Sequence, residues 1–300
     1  MRPLVLNAGP GPGLDGIDPR AVGAIAVPWP DAAGLVPAAL AAGLGVVLAP
    51  GAGWADAEAA LDAQLSAGAT LVLAPADQAE AAIDAWGERQ GWRPPPQRPD
   101  APGRRLFATV SLGDPVEIYA GLEVDGFWLD AGAERSAGAV ARLALELQRR
   151  SDRPVVVAGA GAAALALLAS GVAAVGPPAV DGDAVFHPAI LSSFPAGARY
   201  AAVRRRLFAM RPCACGAHRA AEPPPDRAAT LAHNRFHLQA EALEAAAMIP
   251  PIAEARLLAR AGRASTLRRE LGLTPLAAAA GWRAVAGVAQ ELRGSGEMAG

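Results

Sequence analysis

Five of the six Cys and His residues in this 300-residue chain fall within 25 positions: Cys213, Cys215, His218, His233 and His237. Thiolate and imidazole are the donors a tetrahedral zinc site prefers, and Cys213-x-Cys215-x2-His218, on a tight turn containing Gly216, supplies three of them. The fourth comes from the start of a helix. There His233 and His237 lie one turn apart and both can face the metal, so residue chemistry alone leaves the fourth ligand open. A full set of protein ligands points to a structural Zn2+ rather than a catalytic one, and two thiolates are too few for an iron–sulfur cluster. Cysteines one residue apart do not close an ordinary disulfide staple, and in a reducing compartment such thiols more often hold metal.

A second set of chemistry-bearing residues is acidic. Asp77, Asp114 and Asp130, then Asp181 and Asp183, each follow or close a short apolar run. Asp130, at the end of GFWLD, is the sharpest candidate nucleophile or general base, with Asp114 or Asp181 as its proton-transfer partner. Asp77 and Asp114 also suit ordinary helix caps, and Asp130 suits a cap or a partner for Arg135. Gly159 and Gly161 stand between an apolar run and a helical stretch, where backbone amides can receive a phosphate or the polar edge of a base.

The elements that position these groups follow from the apolar pattern. Eight short runs recur through the first 180 residues: 4–6, 24–27, 45–48, 70–73, 106–110, 126–129, 154–157 and 172–175, each separated by Gly/Pro/Asp turns and alanine-rich stretches of helical length. Alternating strands and helices imply parallel pairing, and eight of them predict a closed (β/α)8 TIM barrel of the α/β class. Several units fall short of the usual ~30 residues, which leaves room for a unit without its helix. The proline-rich segment 93–103 reads as a surface excursion between the fourth helix and the fifth strand. Beyond the barrel, 231–247 and 252–292 read as helices, interrupted at Pro250 and Pro251 and again around Gly272 and Pro275. The expected division is a barrel over 1–198 and a zinc-binding subdomain with C-terminal helices over 199–300.

Charge is unevenly placed. Residues 201–300 carry 14 arginines against 8 acidic residues, a local +6 that leaves −8 on residues 1–200 of a chain whose total is −2. Arg199, Arg204, Arg205, Arg206, Arg211 and Arg219 crowd the entrance to the cysteine cluster, a density suited to phosphate contacts as well as to a solvated helix face. Lysine is absent, which excludes Schiff-base and P-loop chemistry that depends on it. No apolar run approaches the ~20 residues of a membrane span, and the first residues do not form a secretory leader, so the expected location is the cytoplasm.

PCACGAH (Pro212 to His218) followed by TLAHNRFHLQAEALEA (Thr230 to Ala245) resembles the zinc subdomain of the tRNA-guanine transglycosylase family, including its DNA deazaguanine-inserting relatives. That family has Cys-x-Cys-x2-Cys and then a His-Asn pair preceding a helix. Here His218 stands at the third cysteine, and the pair His233-Asn234 implies His233 as fourth ligand. Pro154 to Gly176 is similar to the family's strand, Gly-x-Gly turn, helix and following strand. The resemblance implies a (β/α)8 barrel, a structural zinc, tRNA or DNA as partner, a purine or 7-deazaguanine-type base as ligand, and a dimer through the zinc region or a heteromeric partner. Two positions depart from it. The family's nucleophilic aspartate corresponds to Gly176, and its early Asp-Ser-Gly-Gly segment corresponds to Pro50-Gly51-Ala52-Gly53, without an aspartate. The expected function is therefore a transglycosylase-like protein that binds nucleic acid and exchanges guanine for a deazaguanine with Asp130 in the acidic role. The alternatives are a catalytically inactive zinc-containing relative acting as a binding or partner subunit, and an unrelated barrel enzyme with a phosphate site at Gly159 to Gly161.

Overall fold

The computed structural model describes residues 2–7, 14, 16–28, 32–49, 56–90, 103–132, 136–176, 183–195 and 197–295. The segments 50–53 and 93–102, Arg135 and Asp181 therefore lie outside the described residues. The eight apolar runs are the eight strands: β1 (Leu4–Asn7), β2 (Val22–Pro28), β3 (Gly45–Ala49), β4 (Leu71–Ala74), β5 (Arg105–Val110), β6 (Gly126–Asp130), β7 (Val155–Ala158) and β8 (Ala174–Val175). Every neighbouring pair is parallel, and the register Leu4↔Val175 joins β8 to β1 and closes the barrel.

Strand alternation sends one set of side chains inward and the other against the helices. Inside, Val5, Val47, Leu73, Phe107, Trp128 and Val156 pack together with small residues such as Ala24 and Ala174, so the barrel is filled rather than hollow. Gly126 makes this packing possible. A Cβ there would lie 2.5 Å from the Phe107 ring and 2.8 Å from the Pro154 carbonyl oxygen.

Helices α1 (Ala32–Ala41), α2 (Ala57–Ser66), α3 (Ala79–Gln90), α4 (Glu117–Ala120), α5 (Ala137–Ser151) and α6 (Ala164–Ala169) cover the outside. Asp56 caps α2 by accepting the Ala59 amide at 2.7 Å. The strongly amphipathic α5 buries Val140, Leu143, Ala144 and Leu147 against the strands. Among the described residues of the β1–β2 connection, 14 and 16–21, there is no helix, and α4 is a single turn.

After β8 the chain forms an antiparallel hairpin, β9 (Ala184–His187) and β10 (Ser192–Pro195), then α7 (Ala201–Met210), α8 (Arg227–Ala246), α9 (Pro250–Glu270) and α10 (Ala278–Gly294). Pro250 and Pro251 occupy the first turn of α9, where a missing amide donor costs nothing. Ala242, Leu257, Ala261, Trp282, Val285 and Leu292 belong to the same apolar layer as the barrel's outer face, so α8 to α10 are packed onto the barrel. The hairpin and α7 have a smaller core of their own, formed by Ile190, Phe194 and Leu207 with Leu267 and Leu271. No helix among the described residues is long and apolar enough to cross a membrane.

Candidate metal centre and barrel mouth

The cysteine loop is held before any metal is considered. The Cys213 amide donates to the Ala220 carbonyl at 2.8 Å, closing the loop, and the Cys215 amide points at Cys213 Sγ at 3.3 Å. Asp226 caps α8 through the Ala229 amide at 2.8 Å, which fixes where the helix starts. From that start His233 and His237 both fall on the buried face.

The ligand atoms of Cys213, Cys215, His218 and His233 all lie within 4.8 Å of one another. His233 Nδ1 is 3.4 Å from each sulfur and 2.9 Å from His218 Nε2. Bond lengths of ~2.0–2.3 Å to a tetrahedral ion imply donor separations of about 3.3–3.8 Å; His233 Nδ1 already stands at that distance from both sulfurs, while its 2.9 Å to His218 Nε2 would have to open on binding. The outer nitrogens are already committed: His233 Nε2 donates to the Phe186 carbonyl at 2.6 Å and His218 Nδ1 to the Arg219 carbonyl at 2.9 Å. Each bond fixes a tautomer that leaves the inner nitrogen unprotonated and aimed at the other donors. Burial pushes His233 down to about 4, which keeps the ring neutral, and pushes the Cys213 thiol up to about 11. Metal binding must therefore draw the proton from Cys213, as ligation by thiolate requires. The group can hold a metal ion.

His237 has a different place. Its Nε2 lies 3.0 Å from Cys213 Sγ, and it is not one of the four donors that group together. Sequence reasoning also gave no role to Asn234 beyond its place in the His-Asn pair. In the structure its Oδ1 accepts the Phe186 amide at 2.8 Å and its Nδ2 donates to the Ala184 carbonyl at 2.7 Å. One turn of α8 thus grips β9 by three bonds, two from Asn234 and one from His233. The remaining histidine, His187, is buried on the next residue of that strand, with Nε2 donating to the Arg211 carbonyl at 3.1 Å and Nδ1 accepting the Ala189 amide at 3.2 Å.

At the carboxyl-terminal mouth of the barrel, Asp130 shares the inward face of β6 with Trp128 and is the one acidic residue on the eight described strands. It is exposed, and its Oδ1 accepts the Gly132 amide at 3.1 Å. Gly159, at φ +64°, stands beside it: a Cβ there would meet Asp130 Oδ1 at 3.1 Å. Gly159 accordingly makes room for the carboxylate. The Ala160 amide between the two glycines is occupied by the Gly176 carbonyl at 3.2 Å, and Gly161 opens a single 3-10 turn before the six-residue α6. Asp114 accepts the Tyr119 hydroxyl at 2.6 Å, while Asp77 is exposed in a 3-10 turn and Asp183 faces Arg227 at 3.7 Å.

Of the arginines near the cluster, Arg199, Arg205, Arg206, Arg211 and Arg219 are exposed. Arg204 is half-buried and donates to the Gly197 carbonyl at 3.2 Å, and Arg219 faces Glu222 at 3.5 Å. These arginines lie along α7, the turn before it and the loop that carries Cys213, Cys215 and His218. In comparisons with known proteins, no family model, no curated protein and no solved structure matches the chain, so its fold and sites rest on its own residues.

Proposed function

We propose that this chain is a tRNA-guanine transglycosylase-like protein that binds tRNA or DNA through its arginine face and exchanges a guanine for a 7-deazaguanine-type base at the barrel mouth. The observation that carries the reading is Asp130, the lone acid of the strands, presented at the mouth with Gly159 shaped to admit it. In this scheme the Asp130 carboxylate attacks the ribose C1′, the C1′–N bond breaks and its electron pair leaves with the base, which takes a proton from solvent. The incoming base then attacks C1′ through its ring nitrogen, releasing that nitrogen's proton to solvent and displacing the Asp130 carboxylate. The ion is assigned as zinc at Cys213, Cys215, His218 and His233, and its part is to fasten the cysteine loop.

A second reading, a binding or partner subunit without base exchange, draws support from Asp114, whose carboxylate is engaged by the Tyr119 hydroxyl. One experiment separates the two. Incorporation of radiolabelled guanine or 7-deazaguanine into tRNA and DNA is measured for wild type and Asp130→Asn. The exchange reading expects incorporation that Asp130→Asn abolishes; absence of incorporation with intact nucleic-acid binding supports the partner reading, and incorporation untouched by the substitution removes Asp130. Binding itself should weaken steeply with salt, and Arg205→Glu with Arg206→Glu should flatten that dependence by about one unit of log–log slope for each phosphate no longer neutralised. A salt-independent affinity would count against nucleic acid as the ligand.

A further inference from the structure

A cavity of about 620 Å³ opens where the turn after β7, the β9–β10 hairpin and the α9–α10 connection meet. Its volume lies within the ~300–1,000 Å³ of small-molecule sites. Phe186, Leu238, Leu276 and Trp282 give it apolar walls. The polar groups of those walls are mostly spent: the Trp282 indole N–H donates to the Ala162 carbonyl at 2.6 Å, and both amide atoms of Asn234 hold β9.

Arg268 is the exception. Its half-buried guanidinium donates through Nε to the Thr274 carbonyl at 2.7 Å, through Nη1 to Ser192 Oγ at 2.5 Å and, at the longer 3.4 Å, through Nη2 to Thr274 Oγ1. All three acceptors are neutral. Arg260 and Arg293, the other arginines that tie these helices together, are each matched to a glutamate, Glu241 and Glu254. Arg268 makes no ion pair among the described residues, and no acidic residue lines the cavity. Burial alone acts on it, pulling its pKa down with no acid to offset the cost. A guanidinium has five N–H donors, and those not directed at Thr274 or Ser192 remain for an anion. An anionic group arriving here would pair with a cation already partly stripped of water, at a wall where its apolar remainder also fits.

We infer that this cavity binds an organic anion, its apolar body against Trp282 and Leu238 and its acid group on Arg268. The inference is independent of base exchange at the mouth. The probes are anilinonaphthalene sulfonate and N-phenylnaphthylamine, the same apolar body without the acid. Wild type should show one saturable site that prefers the sulfonate by roughly tenfold or more, and dodecanoate or dodecyl phosphate should displace it while dodecanol does not. Whichever of the two competes at the lower concentration identifies the acid as carboxylate or phosphate. Arg268→Gln should erase the preference while leaving the neutral dye within about threefold, and Ala278→Trp, which fills the cavity, should exclude both dyes. Equal affinity of wild type for the two dyes overturns the inference, as does sulfonate binding unchanged by either substitution. The wild-type comparison and the competition need no variant, so a failure of Arg268→Gln to fold leaves the test intact.

Discussion

Asn234 does for β9 what a neighbouring strand would do, accepting one backbone amide and donating to the carbonyl two residues away. His233, beside it on α8, spends its outer nitrogen on the same strand and so presents its inner nitrogen to the sulfurs. Leucine at 234 would fill similar volume but leave the Phe186 amide and Ala184 carbonyl without partners, a cost of about 1–3 kcal/mol for each buried group. Because the same strand orients His233, Asn234→Leu should also weaken zinc binding about 10–100-fold, whereas Cys213→Ala should abolish stoichiometric binding. Chelator competition checks both, and unaltered affinity in Asn234→Leu would separate the strand clamp from the metal. His187 carries a different signature. Burial pushes it down to about 4 against about 6.5 in the unfolded chain, so between those values only the unfolded chain takes up the proton. Its contribution is intact above pH 6.5 and is lost as pH falls toward 4, by at most about 1.4 kcal/mol per pH unit. Urea unfolding at pH 7 and pH 5 should therefore show a smaller acid loss for His187→Gln, which keeps a donor for Arg211. Equal losses would mean that His187 does not titrate across that window.

At the scale of elements, the barrel was legible because a strand packed on both faces reads as a continuous apolar run, and eight such runs admit few topologies. The ligand set was legible for a related reason: Cys and His are rare here and cluster. The β9–β10 hairpin was not legible. Its strands have four residues each, and their cohesion comes from α8 side chains far along the chain rather than from local periodicity. Likewise Asp130 Oδ1 takes a glycine amide two residues on, with Gly159 just after β7 cleared for it, a relation that spacing does not encode. The same type of clearance governs the interior, where Gly126 on β6 yields to Phe107 on β5. Gly126→Ala should cost about 1–3 kcal/mol through overpacking, with full metal content retained, since the strain falls within the barrel. Paired urea titrations and zinc analysis would show this, and a neutral effect on stability would mean that the Phe107 ring moves aside freely.

Across the whole molecule, two cores of unequal size meet along α8. The barrel's outer layer takes in Ala242, and Gln239 reaches the Gly16 carbonyl at 2.9 Å, so the later part of the helix belongs to the barrel. Its first turns belong to the metal centre, whose apolar support is little more than Val185, Phe208 and Cys213. A centre with so small a core would depend on a bound ion for much of its cohesion, whereas the barrel would not. Removing the metal should then loosen the cysteine loop over 211–226, the hairpin and the start of α8, and leave β1 to β8 folded. Hydrogen exchange before and after chelation resolves these regions directly, since sub-global opening raises exchange only in the unit that opens. The expected outcome is accelerated exchange in the 184–187 strand and the 211–233 segment, with protection of the strands carrying Phe107, Trp128 and Val156 unchanged. Equal acceleration in both would show one cooperative unit, and would make metal binding a determinant of the mouth at Asp130 as well as of the cysteine loop.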